Sequence, residues 1–365
     1  MKERYPRLTI DCAAIRNNTR QVVSWCSAEG IFVAGVIKGA SGLPKVAYEM
    51  AKGGVKMLAS SRIEQLARCK EAGIDLPLLM LRIPMLSEVP EITEVCDYSL
   101  NSEMAVVRAI NDEVISKGKD KHGVVLMADL GDLREGFIDK EELIDKAVEI
   151  EKDLDGVELK GIGTNLGCYG SIIPTEDKMN ELRLLSERIE ESIGRKLDIV
   201  SGGATSSLMG VFDGYMDGIN MLRIGAGIIA GPYEELDTVY GRKEMDVMEC
   251  PFMLEAEIVE VKNKPSYPIG KLGVDAYGNK GEYIDLGIRR RALIAVGKAD
   301  YGDISSLVPT DDKIRLIGAS GDHTILDIED CDCDYKVSDI VRFNLKYPAI
   351  LNLSSCESVY KIYKK

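Results

Sequence analysis

An apolar, largely β-branched run from Ile31 to Ile37 ends in Lys38, followed by Gly39 and Ala40. A lysine in that place has two chemical readings. It can lay its stem along the apolar surface and keep its ammonium in water. Alternatively, a desolvated ammonium gives up its proton more readily and becomes a nucleophile towards an aldehyde. Much later in the chain, two further runs end in Ser201-Gly202-Gly203-Ala204-Thr205 and Arg223-Ile224-Gly225-Ala226-Gly227. Glycines there let backbone N–H groups close on an anion, and a hydroxyl adds a donor. Either turn alone is an ordinary tight turn. An aldehyde-seeking amine together with two phosphate-type turns describes pyridoxal 5′-phosphate.

These residues need a scaffold that brings the ends of distant runs together. From about residue 30 to 230 the chain repeats a short apolar run, a small or polar residue and an amphipathic helical stretch. The runs are 31–37, 56–59, 76–81, 97–100, 123–128, 159–163, 197–200 and 221–224. A capping box at Ser61-Arg62-Ile63-Glu64 predicts a helix closing at Gly73. Another is expected from Thr175 to Gly194, with Met179, Leu182, Leu185, Ile189 and Ile193 on one face. Continuous apolar runs joined by helices indicate a parallel sheet, and eight units is the number that closes a (β/α)8 barrel; an open doubly wound sheet competes. In such a barrel the active site sits at the C-terminal ends of the strands, with phosphate after strands seven and eight. Beyond about residue 250 the texture changes to short strands and turns with little helical periodicity, expected over 253–261, 293–297, 313–317, 324–328 and 340–344. The expected organisation is therefore an α/β barrel over 1–235 followed by a mostly-β domain over 236–365, with an N-terminal strand at 7–12 that could join the latter.

Composition narrows the partners. The 365 residues carry 46 Lys and Arg against 60 Asp and Glu, a formal charge of −14 that repels nucleic-acid phosphate and anionic membrane alike. No apolar run reaches the roughly twenty residues of a membrane span, and the start shows no secretory apolar core, so a cytoplasmic location is expected. Nine scattered cysteines suit free thiols in a reducing compartment. With only His122 and His323 as histidines, neither a multi-histidine metal centre nor a Ser-His-Asp triad is expected. Cys331 and Cys333 lack a second pair and read as a surface loop.

Over nearly its whole length the sequence resembles the alanine racemase type of pyridoxal-phosphate enzymes, in the branch that includes ornithine racemase. The resemblance implies a barrel followed by a β domain, and a homodimer whose subunits share each active site. It matches the cofactor lysine to Lys38 and the arginine facing the pyridine nitrogen to Arg223. Arg134, in Asp129-Leu130-Gly131-Asp132-Leu133-Arg134-Glu135-Gly136, matches the arginine near the phenolic oxygen and the substrate carboxylate. Tyr347 matches a phosphate-binding tyrosine and Tyr277 the second base. Gly321 and Asp322 fall where backbone meets substrate carboxylate. Ser201, Gly202, Gly203, Thr205, Gly225 and Ala226 would hold phosphate. Asn165 stands where the family has a ring-packing histidine, Met127 where many members have a carbamylated lysine, and Gly42 where a tyrosine follows the cofactor lysine, which puts alanine specificity in question.

Racemisation takes the α-proton from one face and returns it on the other, which requires two opposed bases. Lys38 supplies one; the resemblance assigns the other to Tyr277. Arg223 cannot give its proton to the ring nitrogen, which favours simple proton return over elimination or transamination. A metal-dependent D-amino-acid lyase is the first alternative, but the His-x-Cys-like pair such enzymes carry has no counterpart at Lys346-Tyr347-Pro348. A non-catalytic carrier of the cofactor is the second. Ornithine is the favoured substrate, with Asp132, Glu135 and Asp322 as candidate partners for its distal ammonium; alanine, serine, lysine and broad specificity stay open.

Overall fold

The computed structural model describes residues 4–274, 278 and 280–364. They divide into two compact units, Cys12–Glu249 and a second made of the N-terminus to Asp11 with Cys250 onward. The boundary thus falls at 249/250 rather than at 235/236. Residues 236–249 stay with the first unit because Asn18, on its first helix, donates to the carbonyl of Glu249 and accepts from its amide, both at 2.9 Å.

In chain order the elements are β1 (Arg7–Asp11), α1 (Cys12–Ala28), β2 (Phe32–Val36), α2 (Pro44–Gly53), β3 (Met57–Ser60), α3 (Ile63–Glu71), β4 (Leu78–Met80), α4 (Val89–Val95) and β5 (Tyr98–Asn101). There follow α5 (Met104–Lys117), β6 (His122–Met127), α6 (Lys140–Asp153), β7 (Val157–Gly163), α7 (Glu176–Ile193), β8 (Ile199–Ser201), α8 (Leu208–Asp213), β9 (Met221–Ile224) and α9 (Ala226–Ile229). Strands β2 to β9 pair in sequence order, all parallel, and β9 returns to β2 through Ala34↔Arg223, closing an eight-stranded barrel. Each of the eight apolar runs read from the sequence supplies one strand.

Alternate residues point inward and fill the barrel: Ala34 and Val36, Met57 and Ala59, Val125 and Met127, with Leu79, Leu100, Ile199 and Met221. This is a packed core rather than a pore, as the two-residue strand period requires. Outside it, α7 buries Met179, Leu182, Leu185 and Ile189 and ends at Gly194, whose φ of 78° suits a residue without Cβ. The capping box at Ser61 does not form. Arg62 is the N-cap of α3, and the hydroxyl of the preceding strand residue, Ser60, accepts from the Arg62 amide at 3.3 Å and donates to Gln65 Oε1 at 2.6 Å.

The second unit continues with β10 (Phe252–Pro265), β11 (Ile288–Ile294), α10 (Lys298–Tyr301), β12 (Leu307–Pro309), β13 (Arg315–Ala319), β14 (Thr324–Asp327), β15 (Ile340–Leu345), α11 (Tyr347–Ser355) and β16 (Tyr360–Lys364). Its sheet runs β12-β15-β10-β11-β14-β13, and β1 joins through an antiparallel pairing with β10 and a parallel one with β16. The buried Glu255 carboxylate ties three strands together, accepting from Arg7 at 2.6 Å, Thr9 at 2.7 Å and Arg342 at 3.0 Å. Burial alone would raise its pKa, but these donors hold it at about 2. The unit also contains α11, a helix that the sequence reading did not foresee.

At the start of β6, His122 is buried with its Nε2 at 2.8 Å from Ser99 Oγ, and burial pushes its pKa down to about 4. An unfolded histidine titrates near 6.5. Between those values the unfolded chain takes up a proton that the folded chain refuses, so stability is full above about 6.5 and falls towards pH 4, by up to about 3 kcal/mol. Urea unfolding followed from pH 7 to 4.5 should show this slope, and H122Q should flatten it; equal slopes would mean that His122 is accessible to protons in the native state.

Candidate active site

The C-terminal ends of β2, β6, β7, β8 and β9 carry the barrel-mouth residues singled out from the sequence. Lys38 opens a 310 turn, Lys38–Ala40, immediately after β2. It is half-buried, and among the described residues no carboxylate pairs with its amine. Burial lowers its pKa from the usual lysine value; Arg134 lowers it further, Cys168 opposes, Arg223 lowers it again and Glu135 opposes. An amine in this setting sheds its proton at lower pH than an ordinary lysine, as an aldehyde-seeking nucleophile must.

Arg223 on β9 is buried between two neutral acceptors. It donates to Ser201 Oγ, and its Nη2 reaches the Thr164 carbonyl at 2.8 Å. Burial lowers its pKa to about 10, far enough above neutrality for the guanidinium to stay charged. The hydroxyl of Ser201 is thus engaged with Arg223. The two glycine turns are joined directly, because the Gly227 amide donates to Thr205 Oγ1 at 3.3 Å. In the first of them Gly203 has φ 119°, and a Cβ there would lie 2.5 Å from Ser207 Oγ, the hydroxyl that donates to the Gly202 carbonyl at 2.7 Å. Thr205 then opens a 310 turn leading into α8, and Ala226 opens α9 after Gly225, so each glycine turn runs directly into a helical start.

Arg134 lies in the loop after β6. It is ion-paired with Glu135 and donates to Cys168 Sγ. Asp129 shapes this loop: its Oδ1 accepts from the Gly131 amide at 2.8 Å and the Leu133 amide at 3.1 Å. Gly136 completes it, since a Cβ there would meet the Asp129 nitrogen at 2.5 Å. Two carboxylates expected to await a substrate ammonium are already committed. Asp132 is buried and accepts from three backbone amides of the neighbouring loop, and Glu135 holds Arg134. Backbone-to-backbone approach of two loops, invisible in sequence, is what claims Asp132.

At the end of β7, Thr164 Oγ1 and Asn165 Nδ2 are buried polar atoms without a partner. Orphaned donors and acceptors beside a buried guanidinium fit a polar, anionic ligand, since leaving them unmet costs about 1–3 kcal/mol each. Thr164 was not singled out from sequence; its position, one residue past a barrel strand, was the available signal. Gly42 has φ 65°, and a Cβ there would sit 2.4 Å from Gln65 Cβ, so no aromatic ring fits at that position.

The remaining expected site residues belong to the other unit. Gly321 and Asp322 form the turn between β13 and β14, closed by the Ser320 amide donating to the His323 carbonyl at 2.9 Å. Tyr347 is the first residue of α11 and is half-buried. Tyr277 lies outside the described residues. No group of three or more metal-ligating side chains occurs among the described residues.

The family described as alanine racemase, N-terminal domain, matches residues 10–231. The chain belongs to the alanine racemase family. Within it, an ornithine racemase from Acetoanaerobium sticklandii is 40% identical over 358 residues, 98% of this chain and 99% of that protein. A lysine racemase from Thermotoga maritima is likewise 40% identical over 361 residues, 99% of each chain. This alanine racemase family member is accordingly an isomerase of the racemase class. Solved structures share its fold: an alanine racemase from Clostridium difficile 630 at TM-score 0.78 and 22% identity, covering 100% of this chain and 97% of that one. A D-threonine aldolase from Filomicrobium marinum matches at TM-score 0.69 and 14% identity, over 96% and 88%. The fold is therefore common to an isomerase and a lyase, and the reaction must be read from the site.

G203A should destabilise the protein by about 1–3 kcal/mol, because alanine is strained at that φ and its methyl displaces the Ser207 hydroxyl. Urea unfolding measures this; an unchanged midpoint would show that the turn adapts without cost.

Proposed function

We propose that this protein racemises a basic amino acid, ornithine foremost, using pyridoxal 5′-phosphate bound to Lys38. The observation that carries the reading is the Lys38 amine itself: half-buried, without a carboxylate partner among the described residues, and under the field of Arg134 and Arg223 at the carboxyl end of a closed barrel. The family supports racemisation, and the two full-length relatives support the choice of a basic substrate. With Asp132 and Glu135 engaged elsewhere, only Asp322 of the three expected carboxylates stays a candidate partner for the distal ammonium, and the ornithine preference rests mainly on the relatives.

In this reading Lys38 would carry the cofactor, Arg223 would face its ring nitrogen, and Asn165 would offer its unpartnered amide to the ring. Phosphate would sit on Ser201 to Thr205 and on Gly225 and Ala226, with Tyr347 contributing. When bound, the cofactor supplies an electron sink that makes the substrate Cα–H acidic. Arg134 would bind the substrate carboxylate, with Gly321 and Asp322 contributing backbone contacts. Lys38 Nζ would hold or return the proton on one face and the Tyr277 hydroxyl on the other. Arg223 retains its proton, and so restrains side reactions that need a protonated ring. We place the enzyme in the cytoplasm as a homodimer whose subunits share their sites; no described helix is long and apolar enough to cross a membrane.

Purified protein incubated with pyridoxal 5′-phosphate should show a band near the visible edge, and borohydride should fix the adduct on Lys38. K38A should lose both. Single enantiomers of ornithine, lysine, alanine and serine, followed by circular dichroism, should lose rotation fastest for ornithine; a faster loss for lysine reassigns the substrate, and no loss for any removes the activity. Y277F should suppress turnover from one enantiomer far more than from the other. Equal mild losses would dismiss Tyr277 as a base.

A further inference from the structure

The two loops bearing Arg134 and Cys168 leave different strands, β6 and β7, yet meet each other within electrostatic reach of Lys38. Asp132 accounts for this. Its buried carboxylate accepts from the amides of Cys168 at 3.3 Å, Tyr169 at 3.0 Å and Gly170 at 3.1 Å. Three successive N–H groups turned towards one anion form a nest that replaces lost hydration without a paired cation. The backbones themselves touch, for a Cβ at Gly170 would lie 2.7 Å from the Asp132 carbonyl oxygen and 3.0 Å from its Cα. The first loop is independently pinned at its root: the Phe137 amide donates to the Met127 carbonyl at 2.8 Å and the Asp129 amide to the Phe137 carbonyl at 3.0 Å. Lys140 adds a 2.5 Å bond to the Asp129 carbonyl. The loop after β6 therefore grips its neighbour through the Asp132 carboxylate, with the Arg134 contact to Cys168 Sγ beside it.

We propose that Asp132 is a positioning residue: by clasping residues 168–170 to the loop after β6 it fixes Arg134, with Glu135 and Cys168, around the Lys38 amine. The proposal rests on the reading of Lys38 as the reacting amine. Arg134, Arg223 and Glu135 are charged groups acting on that amine, with Cys168 beside them, and all of these but Arg223 lie in the clasped loops. The fourth, Arg223, is on β9 and does not depend on the clasp. Asp132 touches neither substrate nor cofactor in this scheme, so its loss should spare cofactor uptake and alter what the bound enzyme does.

The test uses the full-length holoenzyme with D132N, which removes the charge, and G170A, which wedges the loops apart without changing any charge. Both variants should exchange the amide hydrogens of 168–170 roughly tenfold faster or more than wild type. Both should move the pH midpoint of the Lys38-linked absorption band, and both should lose about 100-fold in kcat with the thermal midpoint little changed. Faster exchange with unmoved band titration and kcat would reduce Asp132 to a structural tie and overturn the proposal. Unchanged exchange would show that no clasp exists and would overturn it equally. A wild-type protein that forms no adduct on Lys38 would instead remove the racemase reading, while the exchange rates at 168–170 would still decide whether the clasp is real.

Discussion

Closure of the barrel forces a concentration of positive charge. Because β9 pairs with β2, the residue after the first barrel strand and the arginine on the last are neighbours, and both Lys38 and Arg223 face the mouth with neutral partners or none. Like charges brought together at reduced dielectric repel by several kcal/mol. A globular protein optimised for stability alone would place a carboxylate between them. Here Glu135, the carboxylate that acts on both, is paired with Arg134 instead, and Asp132 in the same loop is taken up by backbone amides. The arrangement costs stability and leaves an unfilled preference for an anion, which is how a binding site is distinguished from a salt-bridge network.

The barrel was legible because its strands are buried on both faces. Runs such as Ile31 to Ile37 and Gly123 to Ala128 must be continuously apolar, so neither alternation nor helical spacing competes with the strand reading. The same logic fails where local chemistry offers equivalent partners. Ser61 has every sequence mark of an N-cap, yet Ser60, fixed in β3, reaches the Arg62 amide first. In α11 the run Tyr347-Pro348-Ala349-Ile350-Leu351 has too much apolar content for a clear helical stripe; the proline near its N-terminus was the usable signal. Residues 236–249 lack any compositional break from the barrel; Asn18, more than two hundred positions away, donates to the Glu249 carbonyl and accepts from its amide, and Arg242 pairs with Asp213, which ties them to the barrel unit.

The candidate site was legible in its placement, to the extent that it is made of distinctive residue types at strand ends. Lys38, Arg223 and the two glycine turns satisfy that condition and lie together. Asn165 was singled out only through a family position, and its unpartnered amide gives it a physical reason. What sequence could not convey is commitment. A carboxylate read in one dimension is available to any cation; in space, Asp132 is surrounded by amides, and the hydroxyl of Ser201 is held by a guanidinium. Such errors run in one direction, overstating the number of free groups, since folding always assigns more partners than a linear reading can foresee.

Met127 shows how the pieces depend on one another. It points into the barrel among Val125, Leu100 and Leu79, so position 127 presents no charge towards Arg134. For Arg134 to hold a carboxylate ligand in one orientation, as proposed, it would need a lateral support, because a guanidinium on a flexible stem otherwise samples many rotamers. Glu135 supplies the charge and Cys168 a second contact, but both belong to loops, and loops hold a geometry only when their backbones are tied. The Asp129 turn ties one, and Asp132 ties the other to it. An apolar residue inside the barrel is thereby matched by polar bracing at its rim, and the octapeptide Asp-Leu-Gly-Asp-Leu-Arg-Glu-Gly encodes turn, clasp, guanidinium and counter-charge in one continuous segment.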